Sequence, residues 1–116
     1  MTDGACLFCR IVEGEIPADV VHENERVLAF RDLDPKAPTH VLLIPKRHVA
    51  SLAHAADDDV ELLGALMLAA RDVARSEGIA DSGFRAVTNS GDDGGQTIHH
   101  LHVHVLGGRP LHWPPG

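Results

Sequence analysis

Residues 97–106 read Thr97-Ile98-His99-His100-Leu101-His102-Val103-His104-Val105-Leu106, and from His100 onward polar and apolar side chains alternate with the period of a β-strand. The alternation predicts a strand over 97–106. It puts His100, His102 and His104 on one face and Leu101, Val103 and Val105 on the other. Successive imidazoles would then stand roughly 6.6–6.8 Å apart. The apolar set has a core to fill, so the histidines require a separate reason to line up.

Working outward, 84–89 reads as a fourth strand and the glycine-rich 90–95 as a flexible loop. Residues 58–77 form the clearest helix. Val60, Leu63, Met67, Ala70 and Ala74 step by three and four along one stripe. Asp58 with Glu61 resembles a capping pair, the acidic run Asp57-Asp58-Asp59 suits the positive helix end, and Gly78 suits the position past the last turn. Upstream, 40–44 is a strand closed by Pro45. Residues 19–22 and 26–33 make a hairpin around Glu23-Asn24-Glu25. Residues 6–13 form a short helix ended by Gly14 and kept from resuming by Pro17, and 107–116 is a proline-containing tail. Short connections favour antiparallel neighbours and the long helix supplies one large crossover, so the fold class is α+β. The length of 116 residues suits a single domain, 1–116.

Composition narrows the function. The chain has a net charge of −7 and no run of Lys or Arg, which disfavours nucleic acid and anionic membranes as partners. A local pocket can still hold a phosphate. The start, Met1 to Ala5, lacks the pattern of a signal peptide, and no apolar run is long enough to span a bilayer. Cys6 and Cys9, spaced C-x-x-C, point to a reducing, cytoplasmic setting. Aromatics are few (Phe8, Phe30, Phe84 and Trp113), so each is a candidate for a role besides packing.

Three readings of the histidine row compete: a solvated sheet face rich in His, a metal site built on the i, i+2 spacing, and nucleophilic catalysis at phosphorus. Gly94-Gly95-Gln96-Thr97 ends just before the row. Unobstructed main-chain N–H groups and a hydroxyl there would cradle phosphate oxygens, which favours catalysis.

These residues carry a resemblance. His100-Leu101-His102-Val103-His104-Val105-Leu106, with Gly94-Gly95-Gln96-Thr97, Pro38-Thr39-His40, Ile44-Pro45-Lys46-Arg47-His48, Phe30-Arg31-Asp32-Leu33 and His112-Trp113-Pro114-Pro115-Gly116, resembles the histidine triad (HIT) family, Hint branch, over nearly the whole chain. The resemblance implies a five-stranded antiparallel sheet with one long and one short helix, two copies joining into a homodimer with a ten-stranded sheet. It implies hydrolysis of nucleoside 5′-phosphoramidates, purine nucleotides such as AMP or GMP joined to an amine, with His102 as the nucleophile. His104, His40 and Thr97 would assist positioning and proton delivery. Asn89, Gly95 and Gln96 would serve the phosphate, and Asp32 the ribose. Phe8, Ile11, Phe30 and Leu33 would line the base pocket, with Trp113 reaching toward the partner protomer. Thr97 stands where many relatives carry Ser, and Arg31 where His is frequent. Competing readings are a diadenosine polyphosphate hydrolase, a nucleotide-binding interaction protein with little turnover, and a catalytic zinc hydrolase.

Cys6-x-x-Cys9 supplies half of a tetrahedral zinc site. His48 and His100 are the sources for the rest, as in bacterial relatives with a structural zinc, with His99 an alternative to His100. The competing view is a pair of reduced thiols. A thioredoxin-like role lacks its βαβ setting. His22, His54 and His112 read as surface residues.

Overall fold

A computed structural model describes residues 5–116; residues 1–4, on which the absence of a signal peptide was read, lie outside it. The elements run α1 (Leu7–Val12), β1 (Val20–Glu23), β2 (Val27–Arg31), β3 (Thr39–Pro45), a 3-10 turn (Leu52–His54), α2 (Val60–Ser76), β4 (Phe84–Val87) and β5 (Val103–Gly107). They build one antiparallel sheet in the order β1-β2-β3-β5-β4. The expected hairpin forms. Asn24 closes its turn by accepting from Arg26 and Val27 N–H through Oδ1. The crossover is the expected helix, α2, which lets β5 insert between β3 and β4.

β3 is buried at every position, because the sheet is covered on both faces. One face carries Val27, Ala29, Val41, Leu43, Val103 and Val105 against α2. The other carries Leu28, Phe30, Leu42 and Ile44 against Cys6, Phe8 and Cys9 of the α1 region. A strand buried on both sides reads as an unbroken apolar run, and His-Val-Leu-Leu-Ile does so. α1 and α2 both hand over to glycines at positive φ, Gly14 at 78° and Gly78 at 76°, as read from the sequence.

Four expectations need correction. β5 begins at Val103, not at residue 97, so only His104 of the histidine row lies within the strand. Main-chain bonding is diverted before it: Leu101 N–H donates to Val49 O, and the His102 carbonyl accepts from Thr88 Oγ1. The alternation of faces survives because the backbone remains extended enough to bury Leu101 with Val103 and Val105. Second, the buried stripe of α2 is Leu62, Leu66, Ala69, Ala70, Val73 and Ala74; Val60 and Met67 are exposed. The period was right and the phase wrong, since apolar residues occupy two adjoining faces and packing on the sheet selects one. Third, Asp59 rather than Asp58 is the N-cap, and its carboxylate serves Ala56 N–H and Arg47 instead of the first turn. Fourth, the glycine-rich loop is tied down rather than loose: Gly91 N–H donates to Gln96 Oε1, Gln96 N–H to Gly91 O, and Gly95 N–H to Asp92 O. Among the described residues no helix is long and apolar enough to cross a membrane.

The phase of α2 can be checked by urea denaturation. Leu66→Ala should cost about 2–5 kcal/mol as a buried cavity, whereas Val60→Ala should cost less than about 0.5 kcal/mol as a surface change. Similar losses at both positions would contradict the observed packing.

Candidate active site and metal-ligand cluster

His102 is almost fully buried, yet it borders a pocket of about 300 Å³ together with His104 and Thr97. Its Nδ1 lies 2.7 Å from the main-chain carbonyl of His100. A carbonyl only accepts, so the proton sits on Nδ1 and the Nε2 lone pair is left bare. The ring meets Phe8 edge-on at 5.2 Å between centroids. The His102 and His104 rings stand 5.1 Å apart, closer than a regular strand would set them, since His102 precedes β5.

His104 extends the network in a determined direction. Lys36 N–H donates to His40 Nδ1 at 3.0 Å, which places the His40 hydrogen on Nε2. That hydrogen is donated to His104 Nδ1 at 2.9 Å, so neutral His104 carries its own on Nε2. Asp32 Oδ2 lies 3.4 Å from His40 Nε2 as a second acceptor. Asp32, His40 and His104 also have the makings of a metal site. The bonding argues otherwise: a metal on His40 Nε2 would move the hydrogen to Nδ1, against Lys36 N–H. Burial pushes His104 down to about 4, aided by its imidazole neighbours and opposed by Asp32. Burial likewise lowers His40, against the pull of Asp32.

The pocket is walled by the expected Phe8, Ile11, Phe30 and Leu33, with Asp32 at its edge. Phe8 also packs in the core, edge-on to Phe30. The sequence reading passed over Ile16, Pro17 and Ala18, which complete the wall. The signal was an apolar stretch belonging to no amphipathic element. Arg31 borders the pocket, but its guanidinium is clamped by Glu77 at 2.6 and 3.1 Å and lies 3.5 Å from Asp19. In β2 it shares the α2 side of the strand with Val27 and Ala29, away from the Phe30 wall.

Asn89, Gly95 and Gln96 lie on the loop leading into the histidine row rather than on the pocket wall. Asn89 Nδ2 donates to Gly94 O at 2.5 Å. Gln96 is buried and its amide donates to Ala50 O and Ile98 O. Gly94 is required where it stands, because a Cβ there would meet Ser90 O at 2.6 Å. Trp113 is 82% exposed and stands off the pocket.

Beside this pocket, Cys6, Cys9, His48 and His100 converge with ligand atoms all within 4.8 Å of one another. His100, fully buried, donates from Nε2 to Pro45 O at 2.8 Å, which leaves the Nδ1 lone pair facing the cluster. That nitrogen lies 3.3 Å from Cys6 Sγ, 3.5 Å from Cys9 Sγ and 3.2 Å from His48 Nδ1; Cys9 Sγ lies 3.3 Å from His48 Nδ1. A tetrahedral zinc with bonds of about 2.3 Å to sulfur and about 2.0 Å to nitrogen sets S···N edges of ~3.5 Å and N···N edges of ~3.3 Å. The cluster therefore fits zinc. Cys6 Sγ also accepts Cys9 N–H at 3.2 Å, the bond a thiolate would use, and neither cysteine is in a disulfide. His99 is exposed and outside the cluster, so the fourth position belongs to His100.

An antiparallel sheet with a long crossover helix carries a pocket bordered by His102 and His104, and the Cys/His cluster that includes His100 lies beside it. The HIT domain model matches residues 13–111, and the chain belongs to that family. It is 48% identical over 118 residues to a 14 kDa zinc-binding protein of Zea mays, covering 100% of this chain and 91% of that one. Among solved structures, a HIT family hydrolase from Legionella pneumophila superposes with a TM-score of 0.94 at 51% identity, covering 96% of this chain and 99% of the other. A HIT family hydrolase from Clostridium thermocellum gives 0.93 at 42% identity, covering 96% of each chain.

The depressed histidines tie stability to pH. Their folded values lie below the ordinary 6.5, so between pH 6.5 and about 4 the unfolded chain binds more protons. Stability should fall as pH drops from 7 to 5, seen as a declining urea midpoint. His104→Gln should flatten the slope, and an unaltered slope in that variant would contradict the assignment.

Proposed function

We propose that this chain hydrolyses nucleoside 5′-phosphoramidates, with AMP or GMP joined to an amine as the substrate type, through a covalent nucleotidyl intermediate on His102. The observation that carries the reading is the bond from His102 Nδ1 to the His100 carbonyl, which leaves a bare Nε2 at the pocket. A tautomer held in this way is an imidazole ready to attack phosphorus. As the N–P bond forms, the positive charge on the ring is shared with the His100 carbonyl.

The leaving amine needs a proton. Bound phosphate brings negative charge next to His104 and opposes the desolvation that depresses it, so the complex takes up a proton there. His104 passes this proton to the amine nitrogen as the P–N bond breaks. Asp32 Oδ2 is the acceptor to which the His40 hydrogen turns while His104 is doubly protonated. Thr97, which lines the same pocket as His102 and His104, supplies a hydroxyl to it. Asp32, only part-buried, keeps lone pairs for the ribose hydroxyls. Phe8, Ile11, Phe30 and Leu33 grip a purine. Asn89, Gly95 and Gln96 act on the phosphate only through the loop they hold in shape, since Gly95 N–H is already donated to Asp92 O. Mass spectrometry of enzyme quenched during turnover of an AMP-amine conjugate should find AMP on the His102 peptide. His102→Ala should reduce AMP release on the order of 10⁴-fold or more, as losing a nucleophile does. Full turnover in that variant would end the assignment.

We assign a structural zinc to Cys6, Cys9, His48 and His100. Its contribution is to clamp α1 to the sheet and fix His100, with no part in bond breaking. The cluster geometry and the name of the maize relative support this. Metal analysis should find about one zinc per chain. Cys9→Ser should lose it and unfold at lower temperature. A reduced Cys6-x-x-Cys9 pair supports a cytoplasmic setting.

The tail Trp113-Pro114-Pro115-Gly116 favours the Hint branch. A homodimer is supported by the open edge of β4, exposed Phe84 upon it, and exposed Met67 and Leu68 on α2. Pairing of β4 with its copy gives ten strands. Arg85 of β4 holds the tail through His112 O at 2.7 Å, which leaves Trp113 free to approach the partner's pocket.

A further inference from the structure

The four cluster residues are not equally enclosed. His100 is 0% exposed and Cys9 3%, whereas Cys6 is 9% exposed and His48 only half-buried. Those two more open residues border a surface cleft of about 440 Å³, whose rim also carries Ala50, Thr97 and His99. The cleft is far larger than the roughly 30 Å³ share of one water, so a hydrated divalent ion fits within it. This cleft is distinct from the substrate pocket, although Thr97 and Ile98 sit on the wall between them.

His99 has no function in the chemistry above. It is exposed, and its ring makes no hydrogen bond or ion pair among the described residues. The chain bends through residues 98–100, with His100 turned inward to Pro45 O and the cluster while His99 is exposed and borders the cleft.

We propose that this cleft is the path of metal exchange and that His99 is its outer ligand, a transient imidazole that receives zinc from solvent and passes it to the Cys6–His48 edge. The proposal rests on the zinc assignment above. Zinc accommodates a fifth donor while ligands exchange, and an incoming donor must approach where the ligand shell is open. Here that is the Cys6–His48 edge, since His100 and Cys9 are sealed behind it. A residue that touches the ion only in transit changes the rates of uptake and release by the same factor. The binding constant stays where the four permanent ligands set it.

The test uses the full-length, zinc-loaded protein and a chromophoric pyridylazo chelator. Release is timed by stopped flow, uptake by adding zinc to the stripped protein, and affinity by competition. His99→Ala should slow release and uptake alike by about tenfold, the loss of one ligand contact at the barrier, with affinity unchanged. His112→Ala, on the tail and outside the cleft, should match the parent. Unchanged rates in His99→Ala would overturn the relay, as would faster release with weakened affinity, which would make His99 a resident ligand. A parent protein that takes up no zinc by metal analysis would overturn the zinc assignment and the relay together. A normal zinc content with an unaltered exchange rate would overturn the relay alone.

Discussion

The hydrogen bond from His102 Nδ1 to the main-chain carbonyl of His100 joins the two chemical centres of this protein. His100 is held at three points: its Nε2 by Pro45 O, its Nδ1 by the Cys/His cluster, and its carbonyl by the neighbouring ring. Each restricts a different freedom of one residue. The first two settle where its ring lies, and through the peptide plane they settle where its carbonyl points. The carbonyl then decides which nitrogen of His102 bears a proton. A single buried residue thus converts packing into a tautomer.

Alternation made most of this legible in advance. Leu101, Val103 and Val105 are buried on one side, and the histidines are on the other. The C-x-x-C pair and His48 also meet as the motif suggests. The sequence could not show where the strand begins, because side-chain period does not report hydrogen bonding: the chain bends through residues 98–100, and the backbone bonds of Leu101 and His102 go to Val49 and Thr88. The phase of α2 was hidden for a related reason. Leu62 and Leu63, or Leu66 and Met67, are equivalent until a sheet lies beneath them. Nor could the sequence choose between His99 and His100, adjacent residues of one type, which are separated only by the direction each faces. How Arg31 is held was hidden too, since its partner Glu77 is distant along the chain.

Electrostatics shows how an acidic chain can hold a pocket that does not share its excess charge. The net charge is −7, but acidic side chains such as Glu61, Glu77, Glu23 and Asp59 are paired with Arg26, Arg31, Lys46 and Arg47. Around His102 stand imidazoles, Thr97 and apolar walls; of the charged residues bordering the pocket, Arg31 is paired with Glu77 and Asp19, and Asp32 lies against His40. Local neutrality with directional N–H groups suits an anion better than the overall charge suggests.

The six residues of α1 are too few to hold a helix by themselves. They nevertheless supply Phe8 and Ile11 to the pocket and Cys9 to the cluster, with Cys6 as the cap. The pocket wall thereby hangs on an anchor of two sulfur atoms. A descendant that discarded the cysteines would need a longer helix or a wider greasy footing to keep that wall in place.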